Sequence, residues 1–245
     1  MEFNKEMTLA EIVKADYQTA GLLESLNLDY CCRGKRTLNE ACNEAGLKAD
    51  DVIEKLENSP NQQDTTYKYD EWELDFLVDY IVNIHHSYVK KYMPLIAAHS
   101  EKVMNAHEEN HPEVKEIAEL FATVKNELES HMMKEERMLF PYMKKLAEAK
   151  RGVSEFEIAP FGTIQNPIKV MEMEHEGAGN LFYRIRELSN NYSVPADGCI
   201  TFKTLYDELK EFENDLHIHI HLENNILHPK AIELEKNLSK NIFHN

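Results

Sequence analysis

The sequence carries the stretch HMMKEERMLFP at residues 131–141 and a second copy of its pattern, HIHLENNILHP, at residues 219–229. In both stretches a glutamate follows the first histidine by four residues, and a proline follows that histidine by ten. Residues four apart lie about one turn apart on the same face of a helix. An imidazole and a carboxylate placed in this way can bind one metal ion or two adjacent ones. A single copy arises often by chance, but two copies in register predict a metal site in a helical fold.

The chain on both sides of this repeat is predicted to form long amphipathic helices. Four segments show apolar residues at helical spacing: 70–108, 112–150, 163–190 and 198–238. The breaks between them contain Pro112, Pro160 and Pro195. Glycine and proline number 8 each among 245 residues, roughly half of their average usage. The predicted fold class is therefore all-α, with an up-down-up-down four-helix bundle.

Helix pairing then selects the remaining metal ligands. Two antiparallel helices bring residues level when these are equidistant from the connecting turn. The midpoint between His86 and His131 falls just before Pro112, and the midpoint between His175 and His219 falls inside the 190–198 break. We therefore expect each pair to face each other in the bundle core. The predicted metal ligands are His86, His131, Glu135, His175, His219 and Glu223.

This ligand set favours two iron ions over zinc. Structural zinc is usually bound singly by four ligands, whereas imidazoles with bridging carboxylates suit iron or manganese. If both glutamates bridge, each metal has two histidines and two carboxylate oxygens. A ferritin-type site would need Glu-x-x-His pairs on two helices, but the pair Glu108 and His111 lies in a turn. The predicted cofactor is a bridged pair of non-haem iron ions.

The other histidines are expected at the surface or in support of the ligands. His107 follows His86 by 21 residues, about 31 Å along a continuous helix, so both cannot reach one site unless the helix breaks near Pro94. Glu172 precedes His175 by one turn and is a candidate partner for its ring. The sequence leaves open whether His107 or Glu172 assists the site.

The N-terminal part has a different organisation. Short apolar segments over 7–56 predict three or four short helices, and Thr8 with Glu11 and Thr37 with Glu40 have the spacing of capping boxes. We predict three parts: a small helical Cys-Cys module at 1–58, a linker at 59–69 and the bundle at 70–240.

Two adjacent thiols, Cys31 and Cys32, lie beside Arg33, Lys35 and Arg36 and before a predicted helix start. Nearby cations and a helix N-terminus favour the thiolate, which raises reactivity toward oxidants and metals. The two cysteines are therefore candidate residues for redox chemistry or iron transfer. The alternative is two partly buried small residues in a tight turn, and the sequence leaves both interpretations open.

The composition excludes several classes of partner. The formal net charge of −17 leaves no basic face for nucleic acid or an anionic membrane. No apolar run reaches the length of a membrane span, and charged residues fill the N-terminus where a signal peptide would be apolar. We expect a cytoplasmic protein whose cysteines are free thiols, and a homodimer is compatible with this.

The Asp29-Tyr30-Cys31-Cys32 element in a short helical module, followed by a bundle with two HxxxE motifs, resembles the repair-of-iron-centres family. The likeness covers nearly the full chain. It implies a hemerythrin-like bundle, a non-haem di-iron centre, a bacterial cytoplasmic setting and repair of iron-sulfur clusters damaged by nitric oxide or peroxide. The six predicted ligands match the ligand positions of that family.

The leading hypothesis is a stress-response factor that supplies iron to damaged iron-sulfur clusters, which favours a repair factor over an enzyme. Its expected partners are proteins with damaged clusters or a cluster scaffold, with nitric oxide, peroxide or oxygen as small ligands. One alternative is reduction or scavenging of nitric oxide at the paired metals. Another is oxygen binding or sensing, although simple hemerythrins have five histidines and this set has four. A metal-free bundle is the remaining alternative.

Overall fold

The structure, a computed structural model, describes residues 3–58 and 68–243, of which 241–243 are described by their backbone. Most of the predicted linker therefore lies outside the described residues. Within these residues every regular element is helical, and the extended pairings are two isolated β bridges. The predicted all-α fold class is confirmed. None of the described helices combines the length and hydropathy that a bilayer crossing requires.

The N-terminal module contains four short helices: α1 (Leu9–Ala15), α2 (Thr19–Ser25), α3 (Leu38–Glu44) and α4 (Ala49–Glu57). Both predicted capping boxes are present. The hydroxyls of Thr8 and Thr37 accept from the backbone N–H three residues on, and the glutamates there accept from the threonine N–H. These caps fix the starts of α1 and α3. The segment 26–37, between α2 and α3, contains Cys31 and Cys32 and is called the Cys-Cys loop.

The bundle has four long helices. The first runs from α5 (Leu74–Ile81) through a π-helical segment (Val82–His86) to α6 (Ser87–His107), and a short 3₁₀ turn (Tyr69–Glu71) precedes it. The second joins α7 (Glu113–Lys134), a π segment (Glu135–Leu139) and α8 (Phe140–Lys150). The third is α9 (Gln165–Leu188), and the fourth joins α10 (Ile200–Leu222), a π segment (Glu223–Leu227) and α11 (His228–Phe243).

Three of the four bundle helices thus contain one π segment each, which the sequence analysis did not predict. Each segment includes a predicted ligand, because one ends at His86 and the others begin at Glu135 and Glu223. Single π turns inside α-helices occur frequently at functional sites. The hydroxyl of Ser87 donates to the carbonyl of Val82 at 3.1 Å, which satisfies one carbonyl of the first π segment.

The apolar core is divided into two clusters. One packs the aromatic rings of Phe121, Phe182 and Phe212 together with the N-terminal module, and the other lies around Leu77 and Met143. The predicted ligands lie in a buried polar layer of the bundle. The layer interrupts the core, and the helices on both sides of it fix its geometry.

Hydrogen bonds to Glu235 hold the connection at 151–164 in place. The sequence did not define the path of this connection. The Glu235 carboxylate accepts from the Ile164 N–H at 3.0 Å, from the Thr163 hydroxyl at 2.7 Å and from the Tyr142 hydroxyl at 2.9 Å. Glu235 lies on the fourth bundle helix, so this acid ties the third helix start to the fourth helix.

Candidate metal centre

The six predicted ligands lie together in the bundle core. All of them are buried, and no side chain in the set is more than 2% exposed. Each of the four bundle helices contributes at least one of them: His86, His131 with Glu135, His175, and His219 with Glu223. The predicted convergence is present in the structure, and the role of the six as ligands remains a proposal.

These residues form two groups that could each hold a metal ion. One group is His86, Glu135, His219 and Glu223, and the other is His131, Glu135, His175 and Glu223. Within each group the ligand atoms lie within 4.8 Å of one another. Both groups share the two glutamates, which is the arrangement that two carboxylate bridges require.

The distances between glutamate oxygens and histidine nitrogens support sharing of the two glutamates by both groups. Glu135 Oε2 lies 3.2 Å from His131 Nε2 and 3.4 Å from His86 Nε2. The two oxygens of Glu223 face different groups, with Oε1 3.0 Å from His219 Nε2 and Oε2 3.0 Å from His175 Nε2. Each glutamate therefore touches histidines of both groups.

The histidines pair differently from the expectation. The sequence analysis paired histidines within each helical hairpin, whereas the groups combine His86 with His219 and His131 with His175. Their ring centroids are 4.9 Å and 4.6 Å apart. The reason is the order of helices around the bundle, since the first helix also packs on the fourth and the second on the third.

The buried polar atoms of this layer fit a metal pair. Among the described residues, His86 Nε2, both oxygens of Glu135 and Glu223 Oε2 have no hydrogen-bond partner. Buried polar groups are rarely left in this state, and a carboxylate is costly to bury without a cation. Four imidazole nitrogens and two carboxylates are also a suitable donor set for iron or manganese.

The pKa values of the buried groups indicate that the site favours bound positive charge. Burial and the charge of Glu223 raise the pKa of Glu135, but His131 and His86 outweigh them and lower it to about 2. Burial lowers the pKa of His86 and His131, yet the carboxylates around them raise both values to about 10. The carboxylates therefore stay ionised and draw cations, either protons on the imidazoles or metal ions in their place.

Three of the ligand histidines are oriented through their other ring nitrogen. His86 Nδ1 lies 2.8 Å from Glu136 and His131 Nδ1 lies 2.9 Å from Glu174. His175 Nδ1 lies 2.9 Å from the side-chain oxygen of Asn224. Such contacts fix the ring and the tautomer of a metal ligand.

The sequence analysis missed these three partners. Glu136 and Asn224 directly follow the glutamates of the repeat, so the repeat itself could have identified them. Glu172, which was the candidate for His175, instead forms a salt bridge of 3.2 Å with Lys35. The partner of His175 is Asn224.

Of the other described histidines, three are buried near the predicted ligands and the rest pair with polar side chains nearer the surface. His85, His221 and His228 are buried, and His85 stacks on the His219 ring with its Nδ1 3.0 Å from Asp215. His107 lies on a helix that continues through Pro94, and its Nε2 is 3.2 Å from Cys199 Sγ, away from the site as expected. His99, His111 and His217 pair with carboxylates, and His244 lies outside the described residues.

The Cys-Cys loop lies against the metal layer, which is the buried layer formed by the six predicted ligands. Asn224, which holds His175, also donates through Nδ2 to the carbonyl of Cys31 at 3.3 Å. Cys32 Sγ is 3.5 Å from the carbonyl oxygen of His175. A Cβ on Gly179 would lie 3.4 Å from Cys32 Sγ, at van der Waals distance, so this thiol packs against the third bundle helix. The side chain of Asn224 therefore contacts both the Cys-Cys loop and the predicted ligand His175.

The two thiols occupy different environments from those expected. Their sulfurs lie 3.7 Å apart, Cys31 is buried and Cys32 is partly buried. The neighbouring Cys32 and burial raise the pKa of Cys31 well above its ordinary value, so the expectation that its thiolate is favoured is wrong. Lys35 and Arg36 pair with Glu172 and Glu44 instead.

Asp29 completes a third group that could hold an ion, with Cys31 and Cys32. Its Oδ1 accepts from the N–H of Cys31 at 3.0 Å and from that of Cys32 at 2.9 Å. A cavity of about 520 Å³ opens beside these residues. The loop turns tightly at Gly34, where a Cβ would overlap the carbonyl of Tyr30.

Comparison with known families matches both parts of the chain. Residues 77–231 match the family described as the hemerythrin HHE cation binding domain. Residues 5–59 match a domain family described as one of unknown function, DUF542. The first match contains all six residues of the metal layer.

Full-length relatives also match. The iron-sulfur cluster repair protein YtfE of Pectobacterium atrosepticum is 33% identical over 231 residues, covering 94% of this chain and 99% of the relative. The proteins of the same name from Escherichia coli and Cronobacter sakazakii are each 32% identical. Those alignments cover 93% and 95% of this chain and 97% and 99% of the relatives.

Proposed function

Since the chain belongs to the hemerythrin HHE family and to the family of the iron-sulfur cluster repair protein YtfE, we propose that it binds two iron ions and repairs damaged iron-sulfur clusters. The observation that carries the proposal is the pair of buried ligand groups sharing Glu135 and Glu223. The damage to be repaired is that caused by nitrosative or oxidative stress.

The ligand chemistry supports iron as the bound metal. Each group offers two imidazoles and two carboxylates and no thiolate, a set that suits iron better than structural zinc. When bound, the iron pair supplies redox and ligand-binding chemistry as well as the cargo for repair. The carboxylates Glu136 and Glu174 orient His86 and His131 from outside the groups.

The Cys-Cys loop is proposed as the route between the metal layer and a client. Asn224 links the carbonyl of Cys31 to the ring of His175, and Cys32 lies against the backbone of His175. Asp29, Cys31 and Cys32 offer a second set of donors beside an open cavity. These thiols accept or pass iron, or supply electrons.

The clients are proteins with damaged clusters or a cluster scaffold, in the cytoplasm. The net charge of −17 argues against nucleic acid or an anionic membrane as the target. The small ligands of the iron pair are nitric oxide, peroxide and oxygen.

Reconstitution tests the proposal. An aconitase-type enzyme whose cluster has been damaged by peroxide is incubated with the iron-loaded protein, with the Glu135→Ala variant or with buffer. We expect recovery with the wild-type protein, and about two irons per chain that Glu135→Ala lacks. Glu129→Ala is the matched control, because Glu129 is an exposed acid of the same bundle helix. Absence of recovery with fully loaded protein would contradict the proposal.

A second candidate function is the reduction of nitric oxide. It is favoured by the two adjacent metal groups, since paired metals can each bind one molecule and couple them. Each nitrous oxide requires two molecules of nitric oxide, two electrons and two protons and releases one water, so one reduced metal pair supplies the electrons for a single turnover. Anaerobic addition of nitric oxide to the reduced protein with an excess of a chemical reductant should then yield nitrous oxide over several turnovers. Less than one product per metal pair would reduce this to stoichiometric scavenging.

A further inference from the structure

His228 is a buried histidine that the proposed function does not use. It is 0% exposed, and neither of its ring nitrogens has a hydrogen-bond partner among the described residues. It begins α11, directly after the third π segment. An unpartnered buried imidazole costs free energy, so this side chain calls for an explanation.

The first copy of the internal repeat has a phenylalanine, Phe140, at the position equivalent to His228. His228 follows His219 by nine residues, as Phe140 follows His131. The Phe140 ring stacks on His86, with centroids 5.5 Å apart and an interplanar angle of 23°. The His228 ring lies parallel to His175, with centroids 6.3 Å apart and an angle of 8°. Each of the two residues therefore lies beside a histidine of a different metal group.

The two sides of the metal layer consequently differ in chemistry. At this position the group of His86 and His219 has an apolar phenyl ring, whereas the group of His131 and His175 has an imidazole. The first group also has His85 stacked on His219. The Nδ1 of His85 faces the Asp215 carboxylate at 3.0 Å, so a neutral His85 ring donates its single N–H there and its Nε2 can only accept.

His175 cannot satisfy the imidazole of His228, because the Nδ1 of His175 faces Asn224 at 2.9 Å and its Nε2 faces Glu223 at 3.0 Å. His228 is also absent from both ligand groups. Its ring nitrogens are free for a molecule that the protein itself does not supply.

We propose that His228 hydrogen-bonds a small ligand with an acceptor atom, such as azide or peroxide, held at the metal group of His131 and His175. The group beside Phe140 lacks such a donor, because the neutral His85 ring gives its N–H to Asp215. The inference rests on the iron pair of the proposed function and adds which of the two metal positions takes the ligand. Burial lowers the pKa of His228 to about 4, and a neutral ring still carries one N–H donor.

Azide binding to the iron-loaded, oxidised protein tests this assignment, with absorption as the measurement of affinity. His228→Phe places the residue of the first repeat at the same position of the second, and it should weaken azide binding by about tenfold. His228→Gln, which keeps an N–H donor, should stay within about threefold of the wild type. His99→Phe makes the same exchange at a histidine that pairs with Glu208 outside both metal groups, and as the matched control it should leave the affinity unchanged.

The stretching band of bound azide gives a second measurement on the same samples. It should shift in His228→Phe and stay near the wild-type position in His228→Gln. Equal azide affinity and an unshifted band in His228→Phe, at full iron content, would overturn the assignment. So would loss of iron from both His228 variants, which would make His228 a metal ligand. A protein that binds azide as stated and does not repair clusters would refute the proposed function alone.

Discussion

At the scale of residues, the metal layer depends on side chains outside the six predicted ligands. Glu136, Glu174 and Asn224 hold the Nδ1 atoms of three ligand histidines, so that each Nε2 points to a shared glutamate. His219 differs, because its Nδ1 has no hydrogen-bond partner among the described residues. The orienting contacts set the direction of a donor atom, which a ligand motif alone does not specify.

Removal of one orienting carboxylate should weaken iron binding without removing a ligand. Glu136→Ala frees the ring of His86, and we expect iron affinity to fall by about 10- to 100-fold. Competition with an iron chelator measures the change. Glu129→Ala serves as the control, since Glu129 is exposed on the same bundle helix. Equal chelator sensitivity of Glu136→Ala and the wild type would show that His86 needs no partner.

Cys199 should be the most reactive of the thiols that the structure describes. It is exposed, and the hydrogen bond from His107 lowers its pKa to about 7, whereas burial raises the pKa of Cys42. About half of Cys199 is therefore thiolate at pH 7, and the rate of alkylation should rise through that pH and level off above it.

The variant His107→Leu tests the cause. Without the hydrogen bond, the pKa of Cys199 should return toward about 8.5, and alkylation at pH 7 should slow by roughly tenfold. Mass spectrometry of labelled peptides distinguishes Cys199 from the other cysteines. An unchanged pH profile in the variant would rule out His107 as the cause.

At the scale of elements, the π segments adapt regular helices to the metal layer. A π turn accommodates one residue more than an α turn, so the helical segments on both sides keep their apolar faces toward the core. The segments at Glu135–Leu139 and Glu223–Leu227 each precede the proline of a repeat by two residues. Proline cannot donate a helical hydrogen bond and often accompanies such departures.

Deletion of Met138, an exposed residue of the second π segment, should restore a continuous α-helix. Helical content and the melting temperature of the metal-free protein should then stay near wild-type values, because the flanking faces keep their orientation. Iron affinity should fall, since the backbone at Glu135 changes. Circular dichroism and chelator competition measure the two effects.

Deletion of Glu129 is the matched comparison, because it removes an exposed residue from the α-helical part of the same helix. A regular α-helix has no extra residue to lose at this point, so the deletion rotates the apolar face that follows Glu129 away from the core. We expect a loss of several kcal/mol and a melting temperature lower by roughly 10 °C. Equal melting temperatures for the two deletions would contradict this account of the π segment.

At the scale of the whole molecule, the N-terminal module and the bundle share one core cluster. Polar contacts add to this packing: Asn225 donates to the carbonyl of Tyr30 at 3.0 Å, and the Tyr30 ring packs edge-on against His221 at 5.5 Å. Asn224 and Asn225 are adjacent, so two consecutive residues of the third π segment fasten the Cys-Cys loop. The loop position is therefore coupled to the metal layer.

Asn225→Ala should loosen the loop and leave the ligands in place. A lost hydrogen bond of about 1 kcal/mol corresponds to a roughly fivefold increase in loop opening. Alkylation of the buried Cys31 should accelerate by that factor, while iron content stays at the wild-type value. Faster labelling of Cys42 to the same degree would indicate general destabilisation of the module, because Cys42 is buried in the core on α3.

Several features of this protein were determined by the sequence alone. The spacing of apolar residues predicted the four bundle helices, and capping residues predicted the starts of α1 and α3. The repeat identified four residues of the metal layer, and the midpoints of the two hairpins added His86 and His175. These features depend on local periodicity and on residues a few positions apart. The resemblance to the repair-of-iron-centres family was carried by motifs of the same kind.

The tertiary structure alone decided which histidines share a group, which side chains orient them, and where the Cys-Cys loop lies. The pairing of His86 with His219 depends on the order of helices around the bundle, which hairpin geometry does not reveal. The raised pKa of Cys31 depends on its contact with the Cys32 thiol and on burial. Asn224 contacts both Cys31, 193 positions away, and His175, 49 positions away. Such contacts follow from packing between helices, and no local spacing encodes them.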